Sequence, residues 1–163
     1  MVYGGILEKG EEYYTHLKKL FSSMGDFQKN YRWLITDCTC YPTDPQVEKR
    51  LRCGKYCWLS GEELTAIVER EDIQWIWAVL SGFSKEVSLE EVLKYPLPYA
   101  DGYRGFWKVP LTLQHPLARV ELVPWDSCLT LLLGRDKELV DTFRQVFPLS
   151  EDLYDYNERL AQR

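Results

Sequence analysis

The chain runs to 163 residues, of which 45% are hydrophobic, 14% aromatic and 28% charged. That length fits one domain with its own core, since a chain of this size hides about 70% of its unfolded surface, and the composition excludes disordered, collagen-like and low-complexity classes. The formal net charge of -5 repels phosphate backbones and suits a basic protein partner. No apolar run approaches the ~20 residues a membrane helix needs, so neither nucleic acid nor membrane is expected as a partner.

In chain order, residues 2–7 read as a first strand. Residues 8–24 then read as a helix, with Tyr13, Leu17, Leu20, Phe21 and Met24 on one stripe. Gly25 supplies the left-handed stop. Residues 31–38 carry Trp33, Leu34 and Ile35 and predict a strand. Thr43-Asp-Pro45 opens a short helix with Val47 and Leu51 inward. A strand over 56–59 leads into Ser60-Gly-Glu-Glu63, a capping box, so a helix follows with Leu64, Ile67 and Val68 buried. Residues 73–80 are almost wholly apolar, which predicts a central strand covered on both faces, with Trp75 and Trp77 on one side. Ser88-Leu-Glu-Glu91 is a second capping box, starting a short helix that ends before Pro96.

Residues 95–110 break this pattern with a long loop rich in Pro, Gly and aromatic residues. Residues 119–123 alternate polar and apolar, as a half-buried strand should. Asp126-Ser127 turns the chain into a strand over 128–133, a hairpin. A helix with Leu139, Val140, Phe143, Val146 and Phe147 on one stripe ends at Pro148. Ser150 starts a last acidic helix with Leu153, Tyr156 and Leu160 as its apolar positions. No repeat or linker divides the chain. The fold class is α+β: a mixed or mostly antiparallel sheet with helices packed on it, in one domain over 1–163.

The five cysteines fall as Cys38-x-Cys40, then Cys53-x₃-Cys57, then Cys128. Cys38, Cys40, Cys53 and Cys57 could close a tetrahedral zinc site, but zinc prefers C-x₂-C pairs, and small buried apolar roles are the alternative. A Cys40–Cys53 disulfide is a further option. The odd cysteine count and the lack of a basic, apolar leader at the start of the sequence point to the cytoplasm of the host cell.

His16 and His115 have no partner that sequence reveals, and no nucleophile motif, metalloprotease motif or phosphate loop is present. No motif calls for a cofactor, and no catalytic residue is assigned. Glu11, Glu12, Glu62, Glu63, Glu90, Glu91, Glu151 and Asp152 are placed in first helical turns, where they complement the helix dipole. Lys49, Arg50, Arg52 and Lys55 could hold a phosphate or form a solvated helix end.

The loop is the candidate binding surface, through Tyr99, Asp101, Tyr103, Arg104, Phe106 and Trp107. Tyr, Trp and Arg dominate interface hot spots, and long unstructured loops are commonly functional. The equal alternative is a lid folded down over the sheet. The acidic segment Glu151, Asp152, Asp155 and Glu158 is a second candidate, facing a basic partner.

Tyr31-Arg-Trp-Leu-Ile35 after an amphipathic helix, Trp58-Leu-Ser-Gly61-Glu before the next, and the Phe147-Pro148 stop resemble small bacterial cytosolic α+β domains of unknown function. Many domains of that look are toxin-neutralising immunity proteins. The resemblance implies a protein partner and carries no catalytic residues.

The reading is therefore a non-enzymatic protein-binding domain, with a second copy of the chain as one further partner. Two other functions compete. One is a small-molecule binder or enzyme with a pocket under the 95–110 loop, using Arg104 for an anion and His115 or Asp101 as acid or base. The other is the zinc module.

Overall fold

Among residues 1–52 and 54–163, which the computed structural model describes, seven strands join one antiparallel sheet. The strands are β1 (Tyr3–Leu7), β2 (Arg32–Cys40), β3 (Tyr56–Ser60), β4 (Trp75–Phe83), β5 (Val120–Trp125), β6 (Leu129–Gly134) and β7 (Glu151–Asp152). Their order is β3-β2-β4-β5-β6-β1-β7, and every neighbouring pair is antiparallel. The helices are α1 (Leu17–Ser23), α2 (Pro45–Leu51), α3 (Gly61–Arg70), α4 (Leu89–Val92), α5 (Lys137–Val146) and α6 (Leu153–Ala161). This is the α+β class expected. Among the described residues no helix is long and apolar enough to cross a membrane.

Helix starts follow the capping chemistry. Ser60 Oγ accepts from Glu63 N (3.0 Å) while Glu63 Oε1 accepts from Ser60 N (3.1 Å), closing the box that opens α3. Ser88 and Glu91 do the same for α4. Asp44 caps α2 ahead of Pro45, and Asp136 caps α5. The β5–β6 hairpin turns on Asp126 (φ 48°) and Ser127 (φ 60°), both left-handed, a pair that matches the twist of the flanking strands.

Two helix starts differ from the sequence reading. The first helix begins at Leu17, not at residue 8. Gly10 is left-handed (φ 85°), and the carbonyls a longer helix would use serve the sheet: Thr15 O accepts from Trp75 N (3.1 Å) and Tyr14 O from Thr130 Oγ1 (2.5 Å). Glu11 and Glu12 therefore precede α1. At the other end, Glu151 and Asp152 pair with β1 before α6 starts, and Asp152 caps that helix by accepting from Asp155 N (3.0 Å).

The sheet is the middle of three layers. On one face α1, α2, α3 and α5 pack Leu17, Phe21, Leu64, Val68 and Phe143 against Trp33, Ile35, Leu80, Leu122 and Leu132. On the other, residues 93–118 with α4 and α6 form a second cover. Phe106, Leu111 and Leu153 meet Ile6, Val79, Leu131 and Leu133, while Val92 and Ala118 meet Leu34 and Phe83. Gly4 and Gly5 mark where both covers press on β1. A Cβ on Gly4 would sit 3.0 Å from Leu153, and one on Gly5 would sit 2.7 Å from the Phe143 ring on the opposite face.

Two expectations about sheet faces are corrected. Trp75 lies in the helix-side core and Trp77 under the other cover. The register between β2 and β4 shifts between Thr36 and Thr39 and again between Thr39 and Cys40, which breaks the alternation. The alternation over residues 119–123 predicts a half-buried strand, yet Val120, Glu121, Leu122 and Val123 are all fully buried, because the second cover closes the face that would have met water.

Candidate functional site

The 95–110 loop is held down by polar side chains reaching it from distant parts of the chain. Asp37 sits at the β2 bulge with φ 50°. Its Oδ2 accepts from Ala100 N (2.8 Å) and Asp101 N (3.1 Å). The Gln114 amide accepts from Tyr99 N (3.0 Å) and donates to Tyr99 O (2.9 Å). From α6, Asn157 Nδ2 donates to Phe106 O (2.9 Å) and Lys108 O (3.2 Å). These contacts satisfy backbone groups that an irregular segment cannot pair with itself. Sequence reasoning named none of the three residues.

Glu121 and His115 secure the stretch that follows. Glu121 accepts from the backbone N–H of Gln114, from His115 N (3.2 Å) and from Ser81 Oγ (3.2 Å). Burial pushes its pKa up to about 7 against these hydrogen bonds. His115 is buried, its ring edge-on to Phe83 and Tyr95. Its Nδ1 accepts from Leu117 N (3.1 Å), so Nε2 carries the hydrogen and donates to Val92 O (2.9 Å). Desolvation lowers its pKa, so the ring is held neutral. Both nitrogens serve the backbone, and the acid–base role considered for His115 has no free nitrogen to act through. His16 stands at the N-cap of α1, stacked beside Tyr13, and makes no side-chain cap bond.

The six loop residues singled out by sequence separate into two sets. Phe106 is fully buried, so it belongs to the core beneath the loop. With Ala100 and Leu111 it packs against Ile6, Val79 and Leu131 of the sheet. Tyr99, Asp101 and Arg104 are exposed, and Tyr103 and Trp107 are half-buried. The exposed side continues into neighbouring elements. Trp107 stacks edge-on to Trp125 (5.1 Å), which stacks on Trp77 (4.9 Å), and Trp107 also meets Tyr156 of α6 (6.1 Å). Arg159 lies over the Tyr156 ring at 5.7 Å. Four half-buried rings from β4, β5, the loop and α6 thus form one run, and Trp77, Trp125 and Tyr156 were not assigned to it from sequence. Only the fold brings them together.

The acidic segment borders this run. Asp155 and Glu158 are exposed on α6, Asp152 is its cap, and Glu151 pairs with Arg159 (2.5 Å). Beside them an open hollow of about 390 Å³ has Val2, Pro110 and Leu111 as apolar walls and Asp152 and Asp155 as carboxylates.

The other sequence candidates resolve as follows. In the basic run Arg50 pairs with Glu63, and Arg52 with Glu48 (3.2 Å), on the exposed side of α2. Cys38 and Cys40 are free, half-buried thiols with Sγ atoms 3.7 Å apart. A Cys40–Cys53 disulfide is therefore not formed. Cys57 is disulfide-bonded and Cys53 lies outside the described residues. Among the described residues no group of three or more His, Cys, Asp and Glu side chains is placed to hold a metal ion, and Cys53 of the four-thiolate set lies outside those residues. Compared with known proteins, the chain matches no family model, no curated protein and no solved structure.

Proposed function

We propose that the chain is a protein-binding domain whose contact surface is the outer side of residues 95–110 together with α6, and that its partner is basic. The observation that carries this is the run of Trp77, Trp125, Trp107 and Tyr156, drawn from four elements and bordered by exposed carboxylates. Half-buried aromatic rings with a charged rim have the make-up of interface hot spots. The loop that presents them is already ordered by Asp37, Gln114 and Asn157, so binding would cost little conformational entropy. The hollow beside Asp152 and Asp155 suits a lysine or arginine, its stem on Val2, Pro110 and Leu111 and its head at the carboxylates. A toxin neutralised by this chain is one basic partner of that kind, as the resemblance to immunity proteins implies.

Affinity capture from lysate of the source organism tests the proposal. Asp155→Lys with Glu158→Lys should abolish capture of the partner, as should raised salt. Glu62→Lys with Glu69→Lys, exposed on α3 at the other face, makes the same change in net charge and should leave capture intact. A partner retained equally by both double variants refutes the assignment.

A further inference from the structure

Cys38 and Cys40 lie outside the proposed contact surface, and their placement is not what a regular strand would give. Trp33 and Ile35 face the helix layer, so Asp37 should follow them and Cys38 should point away. The bulge at Asp37 inserts one residue, and Cys38 and Cys40 both pack on the helix side. Their sulfurs come to 3.7 Å, in hydrogen-bond contact. A hollow of about 210 Å³ opens on them, lined also by Tyr41, Leu51, Arg52 and Glu48.

We infer that Cys38 and Cys40 form a redox-active dithiol site that exchanges with small-molecule disulfides, Cys40 being the attacking sulfur and Cys38 the resolving one. The asymmetry has a physical source. A proton shared between the two sulfurs stabilises one thiolate; the charge of Arg52 favours that thiolate at Cys40, while burial favours the proton on Cys38. The Cys40 thiolate attacks one sulfur of the disulfide. A mixed disulfide forms at Cys40 and the first thiolate leaves, taking the proton Cys40 gave to solvent. Cys38 then attacks the Cys40 sulfur, the Cys38–Cys40 bond forms, and the second thiolate leaves with the Cys38 proton. Two protein thiols lose two electrons and one disulfide becomes two thiols; excess thiol reverses both steps.

Glutathione disulfide is the probe. Trypsin releases residues 33–49 as one peptide holding Cys38 and Cys40 and no other cysteine, so Cys128 is read separately. After incubation of the folded full chain, that peptide should lose two hydrogens and resist alkylation, and glutathione should restore it. Cys38→Ser should instead trap glutathione on Cys40. Cys40→Ser should leave Cys38 reacting at least ~10-fold more slowly, because the favoured thiolate is gone. In urea the two single variants should react alike, which shows that the fold sets the difference. A wild-type peptide that only gains glutathione or stays unchanged overturns the inference. So do folded single variants that react at equal rates.

Discussion

Glu121 offers a measurement of how dry the covered face of the sheet is. Its carboxyl is fully buried, and its pKa stands at about 7 against an ordinary 4.5. The folded chain therefore holds this proton over a pH range in which the unfolded chain has released it. Stability from Glu121 is complete below the ordinary value and is lost as pH rises toward about 7. At about 1.4 kcal/mol per tenfold change in proton affinity, the loss is roughly 3 kcal/mol. His115 acts in the opposite sense. Its pKa lies below 6.5, so the unfolded chain takes up a proton first as pH falls, and that contribution weakens on acidification. A single pH curve would mix the two. The difference between wild type and Glu121→Gln cancels His115, which both share. Urea unfolding from about pH 5 to about pH 8 should show wild type losing roughly 3 kcal/mol relative to Glu121→Gln. A difference that stays constant across that range would mean that Glu121 is ionised in the native state, and that the cover over β5 is wetter than its geometry states.

Two further substitutions test the packing of the covers. Asn157→Ala removes the donor to Phe106 O and Lys108 O; it should cost about 1–3 kcal/mol and speed amide exchange across residues 104–108, and unchanged exchange there would remove Asn157 from its pinning role. Gly5→Ala drives a Cβ into the Phe143 ring and should cost about 1–3 kcal/mol, partly recovered in a Gly5→Ala, Phe143→Leu double variant; strictly additive losses would show that the ring is not what excludes the methyl.

What the sequence made legible was local. The capping boxes at Ser60 and Ser88, the Thr43-Asp-Pro45 opening of α2, the Asp126-Ser127 turn and the stripe of α5 each depend on residues within a few positions of one another, and each is found as read. What it hid was tertiary. A helix pattern over 8–16 gave way because Tyr14 and Thr15 lend their carbonyls to distant groups. The polar position at 121 signalled an outward face only while nothing covered it. The Asp37 bulge leaves no mark in composition, since aspartate tolerates a left-handed backbone as well as many other conformations. The loop was legible as an unusual segment. Its anchors were not, because Asp37 and Asn157 lie far from it in sequence.

The position of β1 bears on the order of assembly. This strand lies between β6 and β7, and its hydrogen-bonding partners at Thr130–Gly134 and Glu151–Asp152 follow it by more than 120 residues of chain. Until they are made it must wait with both edges unpaired, the state in which strands recruit foreign ones. Gly4 and Gly5 give that waiting segment little side chain to template on and a low preference for extended pairing. The two glycines that admit both covers in the finished molecule thus also guard the nascent chain against sticking to its neighbours before the sheet can close.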